Sequence, residues 1–139
     1  MILLDASGLF AAISKQEPAH TKSRALLEAD PGPLVLSPFT LAEVDYLVSR
    51  RSGVSSELRL LAEVASGKYR LVSFTPDDVE QATGVIDRYC DLNIGLADAS
   101  IVVLAGKLGC DRVLTLDERH FRALRTPAGE PFVVLPADS

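Results

Sequence analysis

The chain has 139 residues and a net charge of −5, with 47% hydrophobic and 24% charged residues. That balance describes one soluble globular domain over residues 1–139; it excludes a disordered chain and argues against a protein that coats nucleic acid by charge alone. No apolar run approaches the ~20 residues of a membrane span, and no basic stretch precedes the apolar start as in a signal peptide, so the expectation is a cytoplasmic protein without a membrane partner.

Met1-Ile2-Leu3-Leu4-Asp5 reads as a buried strand ending at a carboxylate. A strand apolar on both faces belongs in the middle of a parallel sheet covered by helices. Leu9 to Ile13 predicts a short helix, and Pro18 suits the first turn of a second that stops near Asp30-Pro31-Gly32-Pro33. Leu34 to Ser37 is a second strand, closed by Pro38. The next helix carries Leu41, Val44, Leu47 and Val48 on one face and ends at Arg51-Ser52-Gly53. Val54, Leu58, Leu61 and Ala65 repeat at helical spacing, with Gly67 as the stop.

Tyr69 to Phe74 alternates as a strand, and Thr75-Pro76-Asp77-Asp78 opens a helix with Val79, Ala82, Ile86 and Tyr89 as its stripe. Leu96 to Leu108 is a helix apolar nearly all round, hence buried, and Gly109 ends it. Arg112 to Leu116 is a strand leading to Asp117, followed by a short helix through Leu124; Phe132 to Leu135 is the last strand. Alternation along the whole length predicts an α/β fold with a mainly parallel sheet. Cys90 and Cys110, far apart and without a Cys-x-x-Cys, are expected as small buried side chains.

Four acids share a position in this scheme. Asp5 and Asp117 end strands, while Glu43 and Asp98 sit in the first turns of helices. Strand C-termini and the helix N-termini that follow them lie along one sheet edge, where ligands of such sheets bind. Four converging carboxylates repel unless a cation neutralises them, and hard oxygen donors suit Mg²⁺ or Mn²⁺. Each acid also has a local explanation. Asp5 or Ser7 can cap the first helix, Thr40 and Glu43 fit a capping box, and Asp117 can cap the last helix. Asp98 is harder to explain locally, because it heads a nearly all-apolar helix.

The segments Leu4-Asp5-Ala6-Ser7, Leu36-Ser37-Pro38 with Ala42-Glu43 and Tyr46-Leu47 after it, Gly95-Leu96-Ala97-Asp98-Ala99-Ser100 and Leu114-Thr115-Leu116-Asp117-Glu118-Arg119-His120-Phe121 stand in order along the chain. With them the chain resembles the PIN-domain ribonucleases, specifically VapC-type toxins of bacterial type II toxin–antitoxin pairs. The resemblance implies a three-layer α/β/α sandwich, with Asp5, Glu43, Asp98 and Asp117 as catalytic acids that bind Mg²⁺ or Mn²⁺. It gives Ser7 and Thr115 a supporting role beside those acids. It also implies endonucleolytic cutting of structured RNA, tRNA or ribosomal RNA, an antitoxin that blocks the site, and a homodimer.

Acids outnumber bases from Asp77 to Asp98, so RNA is expected to be gripped elsewhere, by Arg112, Arg119, Arg122 and Arg125. His120 is read as structural rather than as a general base. Two alternatives remain at this level: a PIN fold that only binds a partner, and a Mg²⁺-dependent phosphoacceptor or phosphatase. The phosphatase wants Asp-x-Asp, and Asp5-Ala6-Ser7 lacks the second acid.

Overall fold

A computed structural model describes all of residues 1–139. The apolar runs become five strands: β1 (Ile2–Leu4), β2 (Leu34–Leu36), β3 (Arg70–Leu71), β4 (Arg112–Leu114) and β5 (Val133–Leu135). Seven helices connect and cover them: α1 (Ala6–Ile13), α2 (His20–Ala29), α3 (Pro38–Ser52), α4 (Val54–Ala65), α5 (Pro76–Arg88), α6 (Leu96–Leu108) and α7 (Glu118–Ala123). Every strand pair is parallel, in the order β3-β2-β1-β4-β5. The opening strand is therefore central. The chain builds outward from it to β3, then returns to lay β4 on its other side, so the order reverses beside β1.

Period-2 alternation along the strands sorts the core into two layers. Leu3, Val35, Val113 and Val134 face the cluster built on α5, α6 and Phe121 of α7. Ile2, Leu4, Leu36, Leu114 and Leu135 face α1, α3 and α4. Helix α6 carries the longest unbroken run of buried residues, 99–105. Ile101, Val102, Val103 and Leu104 are each at most 2% exposed, and burying a side chain of that size contributes ~1.5–3 kcal/mol. These layers are the α/β/α sandwich expected from the sequence.

Several boundaries differ. The strand expected over 69–74 shrinks to two exposed residues, because β3 is an edge strand with β2 as its single neighbour and buries no side chain to extend it. Pro18 lies in a turn before α2 rather than in its first turn. Helix α3 is capped by Ser37, whose Oγ accepts from the N–H groups of Phe39 and Thr40, so the Thr40–Glu43 capping box does not form. Cys110 is buried, but Cys90 is exposed in the short 3₁₀ turn after α5.

Candidate active site and metal centre

Each acid reaches the C-terminal edge of the sheet by a local device. Asp5 leaves β1 and precedes α1 in extended conformation, and its side chain caps nothing. Instead its Oδ2 accepts two hydroxyls, Ser7 Oγ at 2.7 Å and Thr115 Oγ1 at 2.7 Å. Thr115 also takes the Asp117 N–H at 2.9 Å, and Ser7 takes that of Leu116 at 2.9 Å. These bonds stitch the end of β1 to the end of β4. They need α1 to lie directly on β4, which Gly8 permits: a Cβ there would stand 2.3 Å from the Leu114 carbonyl oxygen.

The helices that carry Glu43 and Asp98 are fastened to each other. Ser37 Oγ, at the start of α3, lies 2.8 Å from Ser100 Oγ in the second turn of α6. Ser100 in turn donates to the Ala97 carbonyl at 2.6 Å. Both serines are at most 1% exposed, so this bond is made away from water and fixes the approach of the two helix starts. Glu43, the sixth residue of α3 rather than in its first turn as expected, and Asp98, which caps nothing, both point into the space between.

That space is a cavity of about 300 Å³ lined by Asp5, Ser7, Glu43, Asp98, Asp117 and His120, with Ala6, Leu47 and Gly95 completing its wall. The four acids singled out from the sequence thus share one pocket. His120 joins them. Its Nδ1 lies 3.0 Å from Asp98 Oδ2 and 3.0 Å from Asp117 Oδ2. The sequence reading of His120 as structural missed this placement. The signal was the Asp117-x-x-His120 spacing, which puts both on one face of a helix start. Asp117 does cap α7, its Oδ1 accepting from the His120 N–H, while its other oxygen faces the pocket.

The electrostatics are those of a site short of positive charge. Burial, then the charge of Asp5, pushes the Asp98 carboxyl up to about 6, against the lowering effect of His120. Glu43 is raised for the same reasons, partial loss of water first and Asp5 second. One imidazole cannot neutralise four carboxylates. Asp98, Asp117 and His120 each offer a donor atom within 4.8 Å of the others, and Asp5 and Glu43 line the same cavity. A set rich in carboxylate oxygen whose charge is uncompensated fits a divalent cation such as Mg²⁺ or Mn²⁺.

The four arginines lie differently. Arg112 starts β4, at the edge opposite the acids, and its guanidinium is held by Asp30 at 2.6 Å. Arg122 is clamped by Glu118 at 2.9 Å and Asp138 at 2.7 Å. Arg125 donates to the carbonyls of Arg122 and Leu124. Arg119 makes no ion pair, and it precedes His120 of the pocket by one residue on α7.

A family model described as the PIN domain matches residues 2–126. Over 135 residues the chain is 41% identical to ribonuclease VapC26 of Mycobacterium tuberculosis, covering 97% of this chain and 100% of that protein. Among solved structures, the fold is similar to that of M. tuberculosis VapC20, described as a sarcin–ricin loop cleaving toxin: TM-score 0.78 at 24% identity, covering 84% of this chain and 90% of that one. It is also similar to a chain of the DNA-bound VapBC complex of Salmonella typhimurium, with a TM-score of 0.69 at 20% identity over 96% and 98% of the two chains.

Proposed function

The chain belongs to the PIN-domain family, as a VapC-type member, and on that footing we propose that it is a divalent-metal-dependent endoribonuclease toxin that cuts structured RNA, tRNA or ribosomal RNA, and is held in check by an antitoxin. The observation that carries this reading is the convergence of Asp5, Glu43, Asp98 and Asp117 on one cavity with a single imidazole against them.

Asp5 and Asp98 would hold the ion, with Glu43 and Asp117 completing its surroundings. A bound divalent ion supplies the positive charge that activates water and steadies the phosphate as its P–O bond breaks. The chain's own groups prepare the place. Ser7 and Thr115 donate to one oxygen of Asp5 and so fix its rotamer, leaving the other oxygen free of those bonds. His120 holds Asp98 and Asp117 side by side through Nδ1. The Ser37–Ser100 bond keeps α3 and α6 from spreading under the repulsion of their acids. Arg119, which makes no ion pair and precedes His120 on α7, would meet a phosphate of the RNA.

Partners have a candidate surface. Tyr46, Val54, Leu58 and Leu61 on α3 and α4 are apolar side chains 37–65% exposed, with Tyr46 in a hollow shared with Glu43. Such a surface suits the antitoxin or a second copy of the chain.

The test is to map cuts on total cellular RNA after brief induction, wild type against Asp5→Asn. Cuts at defined sites in the wild type and none in the variant support the reading. Metal binding without any cut would favour a binding module instead.

A further inference from the structure

The acids are not the only charges that this chain gathers. A cavity of about 560 Å³ opens between the C-terminal ends of α1 and α3, the face of α4 and Tyr69. Lys15, Arg24, Arg51, Arg59 and Lys68 line it, with Glu63 as its one acid. Five of the chain's 14 lysines and arginines thus share one hollow in a protein of net charge −5. Three are answered: Arg24 by Glu28 at 2.7 Å, Arg51 by Glu17 at 3.3 Å and Lys68 by Glu63 at 3.5 Å. Lys15 and Arg59 form no ion pair, and Ser52 and Ser56 add hydroxyl donors to the same wall.

Its place in the fold says what would use it. Helices α1 and α3 each run from the acidic pocket to this hollow: Ser7 and Glu43 line the first, Ile13 and Arg51 the second. Eight helical steps, from Glu43 to Arg51, span ~12 Å, which is about three to four nucleotides of stacked strand at ~3.4 Å each. Guanidinium, ammonium and hydroxyl donors together match phosphate oxygens, and arginine can meet them with two parallel bonds.

We propose that this hollow is a second phosphate site, which grips the sugar–phosphate backbone of an RNA strand three to four nucleotides from the bond that is cut. The inference rests on the ribonuclease reading above. It assigns a grip on the substrate to Lys15 and Arg59, in addition to Arg119 and in place of Arg112, Arg122 and Arg125, where the sequence suggested it. Binding here is read by charge, so it carries no base preference. The long strand is anchored at two points, the acids' end and the basic end, and a short fragment at one.

The experiment compares Asp98→Asn, in which cutting is disabled, with the same protein carrying Lys15→Glu and Arg59→Glu. Binding of a long labelled single-stranded RNA is followed by fluorescence anisotropy across a salt series. The charge reversals should weaken binding at least about tenfold and make the salt dependence shallower by about 1.4, from two lost contacts at ~0.7 each. Thermal melting of the two proteins should be the same. Should the reversed variant not fold, Lys15→Gln with Arg59→Gln gives the same direction at a smaller size. Equal affinity and equal salt slope for the long RNA, in a wild type that does cut, overturn the second site alone. If the wild type neither binds nor cuts RNA, the ribonuclease reading falls and this site with it. Binding of an acidic peptide lost in the variant while RNA binding stays intact would assign the hollow to protein and also overturn the proposal.

Discussion

Two half-buried aspartates sit at opposite edges of the same sheet in opposite circumstances. Asp30, its side chain 4% exposed, lies where the strands begin, with the Met1 ammonium at 3.2 Å and Arg112 at 2.6 Å. Burial alone would raise its carboxyl, but Arg112, the Gly32 N–H and the N-terminus outweigh it and hold the group below the usual carboxylate range. Asp98, 17% exposed, lies where the strands end, and burial with Asp5 beside it pushes the group up to about 6. A buried acid that brings its own cations serves the fold. Acids that crowd together without them stand ready for a cation from outside.

This contrast can be broken one edge at a time. The largest effect belongs to Asp98→Asn. Cleavage should fall on the order of 10³-fold, the size seen when one electrostatic stabiliser is lost. The metal-free variant should melt no lower than the wild type, because a repulsive charge has gone; a clear loss of stability would assign Asp98 to the fold. Thr115→Val removes a hydroxyl from Asp5 and should weaken divalent-metal affinity about 10–100-fold, read by calorimetry. Unchanged affinity would mean that Asp5 needs no such support.

At the other edge, Arg112→Ala should cost about 2 kcal/mol in chemical unfolding, less than the ~3–5 kcal/mol of a fully buried pair because the arginine is 38% exposed. Cleavage per folded molecule should not change. Reduced turnover with stability intact would place Arg112 in the substrate's path after all.

The smallest effect is in pH, and its sign differs between the edges. Asp98 titrates higher folded than unfolded, so the metal-free fold binds the extra proton, and stability falls as pH rises from about 4 through about 6. Asp30 titrates lower when folded, so its contribution is present above the unfolded value of 3.8 and is lost as pH falls through its own lower value. Melting temperatures of the metal-free protein across this range should show both slopes. Asp98→Asn should flatten the first slope and leave the second.

Much of the fold was legible because strand and helix periodicities are local. The all-apolar 101–105 run could only be a buried helix, and the carboxylate at the end of β1 followed from its two-faced burial. What the sequence could not display were pairings between distant residues. Ser37 rather than Thr40 caps α3, which Pro38 in the first helical position signals locally, but the bond from Ser37 to Ser100, 63 positions away, has no local sign. His120 was legible only as a spacing, because its place beside Asp98 depends on α7 folding back over the start of α6. The arginines misled for the same reason. A run of basic residues in sequence is scattered in space by Asp30, Glu118 and Asp138, whereas the hollow that does collect cations draws them from three helices and two loops.

The central claim is that the acids of the strand-end edge lack a cation that they are built to receive. Titrating Mn²⁺ into the metal-free protein, with bound ion counted by electron paramagnetic resonance and melting followed in parallel, tests it most directly. Saturable binding that raises the melting temperature of the wild type, lost in Asp98→Asn and kept in Arg112→Ala, is the predicted result. Equal binding by the wild type and Asp98→Asn, or no binding by either, would contradict it.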